Sequence, residues 1–386
     1  MKPVITINNN ILNLACFSII ILILVFGLWP FNLNPANQVF WLPNGPGVRI
    51  SGPGHLYTAG DPASAFFSGR QISLELLLRP AAEPNNRLPV IVCLGDGRRQ
   101  EVFLIGQWKD SPAVRVRTSR PDVSRGYRER GKSRVLLNGR PVLLTLASSG
   151  AGTGLYVNGE KAAYWPGFPL LEDGPTGSSA LVLGNTAIGN SPWKGEITGL
   201  ALFNRALSDG EVRDRQIAWL RRDYPALQKD PGLIGLYPFT EGKGDRAFNL
   251  APAGPPLIKP AVFHPLQKVV LEWPTKEQWK RRGLYQDLII NVLGFIPLGF
   301  FFTLWLLRLN SLSATRVSLL TLSIGTLISL AIELTQVYIP GRDSQASDVV
   351  CNVLGTAAGV ALTRWKDGML KYWNNGIMKG RLTAKA

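Results

Sequence analysis

Two short stretches near the end of the sequence repeat the same arrangement of an acid and an amide. Asp287 precedes Asn291 by four residues in "QDLIINVLG", and Asp348 precedes Asn352 by four residues in "SDVVCNVLG". Residues four apart lie on one face of an α-helix, so each pair presents a carboxylate and an amide to the same side. A carboxylate so placed can pair with a cation, or it can exchange a proton as a general acid or base.

A further polar pair and an arginine lie between the two stretches. Glu333 and Gln336 are three residues apart, and Arg342 follows in the loop "YIPGRDSQAS" beside Asp343. We expect Arg342 to pair with the acids in an empty site and to hold an anionic headgroup, such as a lipid phosphate, in an occupied one. The predicted binding residues are Asp287, Asn291, Glu333, Gln336, Arg342, Asp348 and Asn352. In an enzyme, Glu333 or Asp348 would be the acid or base and Arg342 would stabilise a phosphate.

Apolar segments of membrane length carry these polar residues. Four are found, at residues 11–29, 288–307, 317–339 and 349–363. We interpret the first as an uncleaved anchor rather than a signal peptide, because only Lys2 precedes it and no small-residue cleavage site follows closely. If all four span a membrane, the polar residues meet near one face of it, which favours a shared polar pocket. Taken singly, each is as readily a helix cap or an interhelical hydrogen bond.

Small residues and a proline bear on how the predicted helices pack. Gly294, Gly299, Gly355 and Gly359 carry no side chain, and we predict that they let neighbouring helices approach closely. Pro297 lacks the N–H that bonds the preceding turn, so it can kink its helix.

The distribution of basic residues predicts the orientation. Arg308 and Arg316 flank one loop and further cations crowd the C-terminal tail, so the positive-inside rule places both termini in the cytoplasm. Residues 31–286 are then extracytoplasmic. The three cations at positions 280–282 conflict with this rule. We interpret them as lipid-headgroup contacts on an amphipathic approach to the membrane.

The long segment between the first two predicted helices is typical of a β-sandwich. It consists of short β-type runs separated by glycine, proline and asparagine, and Asn138-Gly139 and Asn158-Gly159 are predicted hairpin turns. One helix interrupts the strands, and Ser208 and Glu211 match a capping box at its start.

Composition excludes several classes of function. The chain has 386 residues, 46% of them hydrophobic, and a formal net charge of +16. Its basic clusters follow the membrane segments and their interface rather than a nucleic-acid motif, so no nucleic-acid partner is predicted. Three dispersed cysteines and two histidines predict neither a disulfide framework nor a zinc site. Phosphate-binding, dinucleotide, serine-esterase and zinc-protease motifs do not occur in the sequence.

The membrane segments resemble the VanZ-like family. The resemblance rests on "LWPFNLNP", "DLIINVLGFIPLGF" and "IELTQVYIPGRDSQASDVVCNVLGTAAG", which follow in that order. It covers residues 11–31 and 286–363. The family is named for a protein linked to teicoplanin resistance, so the resemblance implies a cell-envelope role in a bacterial inner membrane and an effect on glycopeptide susceptibility.

The inserted segment is similar to concanavalin A-like jelly rolls of the laminin G and pentraxin type. The similarity rests on "QISLELLLRP", "GLYVNGEKAAY", "GEITGLALFNRALSDGEV" and "LIGLYPFTEGKGDRAFNLA". It implies binding of a glycan or a protein, with Ca²⁺ as a cofactor to consider at Asp96, Glu241 and Asp245; these residues are as readily turn residues. The carboxylate spacing of the related glucanases is absent, which disfavours sugar hydrolysis. The aromatic residues considered for stacking on sugars are Trp108, Tyr127, Trp165 and Trp193, although aromatics in a sandwich more often fill its core.

The expected architecture is a split four-helix transmembrane bundle with an all-β jelly-roll sandwich inserted between its first and second helices. The predicted divisions are 1–38 (first helix), 39–265 (sandwich), 266–286 (interfacial linker), 287–365 (helices two to four) and 366–386 (basic cytoplasmic tail). Three functions remain open: a binding protein for a membrane lipid or lipid-linked envelope precursor, with a glycan or protein ligand at the sandwich; an enzyme acting on a polyprenyl-phosphate-linked substrate; and a membrane-anchored adhesion module.

The predicted orientation makes the loop at Arg342 accessible from outside the cytoplasm. We expect Arg342→Cys, in a chain whose native cysteines are replaced by serine, to react with a membrane-impermeant maleimide in intact spheroplasts. A cysteine at Arg308, in the loop predicted to be cytoplasmic, is the matched control and should react only after lysis. Labelling of the two positions in the opposite order would overturn the orientation.

Overall fold

The computed structural model describes most of the chain. The described residues are 9–33, 35–58, 70–81, 88–95, 101–123, 126–172, 180–252, 254–268, 270–274, 279, 282–308, 313–340 and 342–383, with side chains to residue 365. The chain forms two compact units, one comprising residues 1–33 and 269–386 and the other residues 34–268. The first residues of the chain therefore pack with its last third, as a split module requires.

The membrane unit consists of long apolar helices. Their bounds are α1 (Asn9–Leu28), α4 (Arg282–Arg308), α5 (Ala314–Gln336) and α6 (Ala346–Thr383). Within the described residues, four helical stretches are long and apolar enough to cross a membrane: Asn10–Leu28, Arg282–Arg308, Ala314–Gln336 and Ala346–Trp365. The second begins before Asp287, so that residue lies within the helix rather than at its start. The last helix continues through the predicted basic tail as far as Thr383.

Glycines bring α4 and α6 into close contact. A Cβ on Gly299 would collide with the carbonyl oxygen of Thr356, and a Cβ on Gly355 would collide with that of Val292. Gly359 is equally close to the backbone of α4. Apolar side chains from α1, α4 and α5 form a separate core whose buried members are Cys16, Phe295, Leu298, Phe302 and Ile332. Helices that meet backbone to backbone in this way need small residues at the contact.

The second unit is a sandwich of antiparallel sheets. One sheet has the order β1-β2-β13-β4-β9-β10-β11, with β14 paired to the end of β13, and the other has the order β15-β16-β3-β12-β5-β6-β7-β8. The strands are β1 (Val39–Trp41), β2 (Val48–Ile50), β3 (Leu56–Thr58), β4 (Ile72–Pro80), β5 (Val90–Gly95), β6 (Glu101–Trp108), β7 (Ser111–Arg117), β8 (Tyr127–Gly131), β9 (Val142–Ser149), β10 (Gly152–Val157), β11 (Glu160–Pro166), β12 (Ala180–Leu183), β13 (Gly195–Phe203), β14 (Leu233–Tyr237), β15 (Arg246–Ala247) and β16 (Leu257–Ile258). The predicted jelly-roll class is confirmed.

One of the two predicted hairpin turns is confirmed and the other is wrong. Asn158 and Gly159 both have positive φ and join β10 to β11, as a tight turn between paired antiparallel strands requires. Asn138 and Gly139 instead lie between β8 and β9, which belong to different sheets. Here the chain crosses from one sheet to the other, so the same dipeptide makes a turn without a hairpin.

The longest helix among the described residues of the sandwich unit covers the outer face of a sheet. Helix α2 (Asp209–Arg221) starts with the predicted capping box of Ser208 and Glu211, and the short α3 (Tyr224–Gln228) follows it. Val212 and Trp219 of α2 pack against Phe203 in a second apolar cluster outside the main core. Burial of these side chains attaches the helix to the sheet.

A buried ion pair lies under α2. Glu75 on β4 is 0% exposed, and its carboxylate accepts hydrogen bonds from Arg215 Nε and Nη2 at 3.0 and 2.9 Å. Trp219 Nε1 donates to the same carboxylate at 2.8 Å, and Arg215 Nη1 also donates to Asp230 at 3.0 Å. Each buried charge thus has an opposite charge and several hydrogen bonds, which is what makes burial of an ion pair tolerable.

Removal of one partner of this pair should destabilise the sandwich. Arg215→Ala leaves the Glu75 carboxylate buried without its cation, and we expect it to lower the free energy of unfolding by about 3 kcal/mol. Arg213→Ala, on the exposed face of the same helix, is the matched control and should change it by less than about 0.5 kcal/mol. Denaturant unfolding followed by tryptophan fluorescence measures both, and equal losses would contradict the assignment.

Candidate functional site

A cavity of about 590 Å³ lies within the membrane unit. Its lining comes from α1, α4, α5, α6 and the loop that joins α5 to α6. All seven residues predicted from the sequence to bind a ligand line it: Asp287, Asn291, Glu333, Gln336, Arg342, Asp348 and Asn352. Asp343 and Gln345 also line it. We call this space the membrane cavity.

The two repeated acid and amide pairs meet each other across the membrane cavity. Asn291, from the first repeat, and Asp348, from the second, both line it and lie near each other. Asp287 and Asn352, the other members of the two repeats, line the same cavity. The repeat therefore turns matching faces of α4 and α6 towards one space, with two acids among its lining residues.

Glu333 holds the loop that closes one end of the membrane cavity. Its side chain is 2% exposed, and Oε2 accepts a hydrogen bond from the backbone N–H of Gln345 at 2.8 Å. A buried carboxylate that accepts hydrogen bonds from a following loop fixes that loop on the helix end.

Arg342 does not pair with the acids, contrary to the prediction. Its Nε and Nη2 donate to the carbonyl oxygen of Trp29 at 3.1 and 3.0 Å, and Nη2 lies 3.4 Å from the carbonyl oxygen of Phe26. Gln336 Nε2 likewise donates to the carbonyl oxygen of Gly27 at 2.8 Å. The last carbonyls of a helix have no intrahelical donors, so these side chains cap α1 and attach it to the loop.

Asn352 contributes an acceptor that has no partner. Its Nδ2 donates to Ser329 Oγ at 2.9 Å, whereas Oδ1 is buried and accepts no hydrogen bond in the described structure. The residue is 4% exposed and lines the membrane cavity. An unpaired polar atom in so apolar a setting is costly, and in natural proteins it often marks a place where a ligand or water binds.

One wall of the membrane cavity is apolar. Ile19, Leu22, Ile23 and Phe26 of α1 line it, together with Ile290 of α4. Sequence reasoning missed these residues, because an apolar side chain in an apolar helix carries no signal that distinguishes a cavity wall from a lipid-facing surface. The space thus has a polar end and an apolar flank.

Gly294 differs from the other three glycines, which corrects its predicted packing role. A Cβ built on Gly294 would meet no atom within 4 Å, and the residue lines the membrane cavity. Pro297 lies inside the continuous α4 helix and lines the same cavity. Gly294 therefore faces the open space of the cavity rather than a neighbouring helix.

Of the four aromatic residues that the sequence suggested for stacking on sugars, few are accessible in the sandwich unit. Trp193 and Trp165 are 1% and 8% exposed and belong to the main core. Tyr127 is half-buried, with the guanidinium of Arg115 over its ring. Trp108, at the end of β6, is 46% exposed. Of the four aromatic residues considered, Trp108 is therefore the one with a free face.

No cluster of calcium ligands is found in the part of the chain that the structure describes. No group of three or more histidine, cysteine, aspartate or glutamate side chains there is placed to hold a metal ion. Glu241 Oε1 instead accepts the backbone N–H of Phe248 at 2.6 Å, as a turn residue does. Asp96 lies outside the described residues.

Burial lowers the pKa of His55 to about 4, so this histidine is neutral at pH 7.

Comparisons with known protein families match both parts of the chain. Residues 244–367 match the VanZ/LLP1 family, and residues 55–213 match the concanavalin A-like lectin/glucanases superfamily. No curated protein sequence matches the chain.

Solved structures show similarity in the sandwich fold at low identity. A protein from Bacteroides ovatus, to which carbohydrate binding has been attributed, is 16% identical with a TM-score of 0.38, covering 59% of each chain. The CBM40 domain of the Ruminococcus gnavus IT-sialidase, bound to α2,3-sialyllactose, is 16% identical with a TM-score of 0.35, covering 44% of this chain and 96% of its own. The present chain spans about three fifths of the first of these proteins, and such scores carry no functional argument.

The two sequence resemblances are thus confirmed, and the helices make the chain a multi-pass membrane protein. The chain carries a VanZ-like membrane module into which a concanavalin A-like β-sandwich is inserted.

Proposed function

We propose that this protein binds an envelope lipid, either a membrane lipid or a lipid-linked envelope precursor, by its headgroup in the membrane cavity. The sandwich binds a glycan or a protein outside the cytoplasm. In this proposal the protein lies in a bacterial inner membrane, with both termini in the cytoplasm and the sandwich on the outer side. It is a binding protein rather than an enzyme.

The observation that carries the proposal is the shape and polarity of the membrane cavity. A lipid is a polar headgroup joined to apolar chains, and the cavity has charged and amide groups at one end and the apolar flank of α1 beside them. Its volume lies in the range of small-molecule sites in proteins, about 300–1,000 Å³. Polar residues inside a membrane bundle are costly, so their concentration here supports a functional site.

The hydrogen bonds that Glu333 and Arg342 already make within the protein favour a binding protein over an enzyme. Glu333 accepts the backbone N–H of Gln345, and Arg342 donates to the carbonyls at the end of α1. A general acid or base must reach the proton that it transfers, and a phosphate-stabilising arginine must turn its N–H groups to the substrate. Both side chains instead shape the cavity.

The exposed indole of Trp108 supports sugar binding at the sandwich. An aromatic face that is free of neighbouring side chains can pack against the apolar face of a sugar ring, and the remaining candidate aromatics are buried or covered. The match to a superfamily that contains lectins is consistent with this role.

Filling the membrane cavity should prevent lipid retention. Gly294→Phe places a ring in the open space that its missing side chain leaves, and we expect the affinity for co-purified lipid to fall by at least about tenfold. Native mass spectrometry of the protein released from mild detergent measures the retained lipid.

Gly283→Phe is the matched control, because Gly283 lies on the same helix with open space around it and does not line the cavity. Its lipid retention should equal that of the unaltered protein. Full retention by the Gly294→Phe variant would refute lipid binding in the cavity.

Loss of the exposed indole should weaken glycan binding. We expect Trp108→Ala to lower affinity for the glycan that the full-length protein recognises on an array of bacterial envelope glycans by about tenfold, as a central aromatic contact does. Tyr164→Ala, which removes another exposed aromatic from the far sheet, is the control. Equal binding by both variants and the unaltered protein would exclude Trp108 from the site.

A further inference from the structure

The membrane cavity has more hydrogen-bond acceptors than donors. Four carboxylates line it, those of Asp287, Glu333, Asp343 and Asp348, against the single guanidinium of Arg342. Carboxylates accept hydrogen bonds and cannot donate them while ionised. This excess of acceptors over donors favours a ligand that brings hydrogen-bond donors into the cavity.

The donors that the described lining residues bring are largely engaged by the protein itself. Arg342 and Gln336 donate to carbonyls at the end of α1, and Asn352 Nδ2 donates to Ser329. These contacts satisfy groups at the edge of the cavity and leave little donor capacity for a ligand.

Several acceptors, in contrast, remain unpaired in the described structure. Asn352 Oδ1 is buried without a partner, whereas Asp287 and Asp343 are exposed carboxylates at the cavity that form no hydrogen bond or ion pair with another described residue. Asp287 and Asp348 are like charges that line the same cavity and therefore repel each other. A ligand that brings positive charge and N–H groups would satisfy the unpaired oxygens and relieve the repulsion.

We propose that the lipid held in the membrane cavity carries a primary ammonium group on its headgroup, which binds among Asp287, Asp348 and Asn352 Oδ1. This inference rests on the proposed lipid-binding function and specifies its ligand class. A primary ammonium has three N–H donors and a compact charge, so it can bond to both carboxylates and the amide oxygen at once. An ethanolamine phospholipid carries such a group. A lipid whose headgroup is only a phosphate would be repelled by the excess of carboxylates.

The test uses the full-length protein in nanodiscs containing equal amounts of phosphatidylethanolamine, phosphatidylcholine and phosphatidylglycerol with identical acyl chains. Phosphatidylcholine keeps the positive charge but loses the N–H donors, and phosphatidylglycerol has neither. Native mass spectrometry should show phosphatidylethanolamine retained over the other two by about tenfold, the factor that one charge-assisted hydrogen bond contributes.

A charge-removing variant separates this inference from the lipid-binding proposal. Asp287→Asn combined with Asp348→Asn keeps the size of both side chains but removes both charges, so the preference for phosphatidylethanolamine over the other two lipids should fall towards none. Glu272→Gln removes an exposed acid of the same unit that does not line the cavity, and it should leave the preference unchanged.

The possible outcomes are distinct. Equal retention of the three lipids, or preferential retention of phosphatidylglycerol, overturns the ammonium inference and leaves lipid binding in place. Preference for phosphatidylcholine equal to that for phosphatidylethanolamine overturns the role of the N–H donors. Retention of none of the three in excess of the Gly294→Phe variant contradicts the proposed function itself.

Discussion

The close approach of α4 and α6 at Gly299, Gly355 and Gly359 is the constraint on which the architecture of the membrane unit depends. It lets both helices turn their repeated acid and amide faces towards one cavity. Hydrocarbon offers no partner to an amide or a carboxylate, so polar groups in a membrane must be satisfied within the protein. Among the described residues of this unit, the buried acceptor that remains unsatisfied, Asn352 Oδ1, is therefore the most informative one, and it lies at the membrane cavity.

The two units differ in how completely their buried polar groups are satisfied. In the sandwich, Glu75 and Arg215 form a complete network in which each charge has its opposite and several hydrogen bonds. In the membrane unit, the buried Glu333 is satisfied by a loop N–H, while the buried Asn352 keeps an acceptor without a partner among the described residues. A complete network rigidifies the structure that contains it, whereas an incomplete one leaves free energy available for a ligand.

The sequence predicts the helices, the sandwich and the polar residues that share a cavity, because each depends on local periodicity or on spacing along one helix. It does not predict the partner of Arg342, since the carbonyls at Phe26 and Trp29 lie more than three hundred positions away along the chain. Nor does spacing distinguish Gly294 from Gly299: both are glycines of one helix, and only the path of the neighbouring helix decides which one faces open space. The hairpin predicted at Asn138-Gly139 is wrong for a related reason, because a turn dipeptide does not reveal which strands it joins.

The division of the membrane unit between the two ends of the chain has a consequence for biogenesis. About 250 residues separate the end of α1 from the start of α4, so α1 must wait in the bilayer while the ribosome produces the rest of its unit. During that interval its last carbonyls and the sulfur of Cys16 lack the neighbours that later cover them. The first helix of the chain is thus packed only after the last helices are made. A chain halted after the sandwich would leave a lone, incompletely covered helix in the membrane.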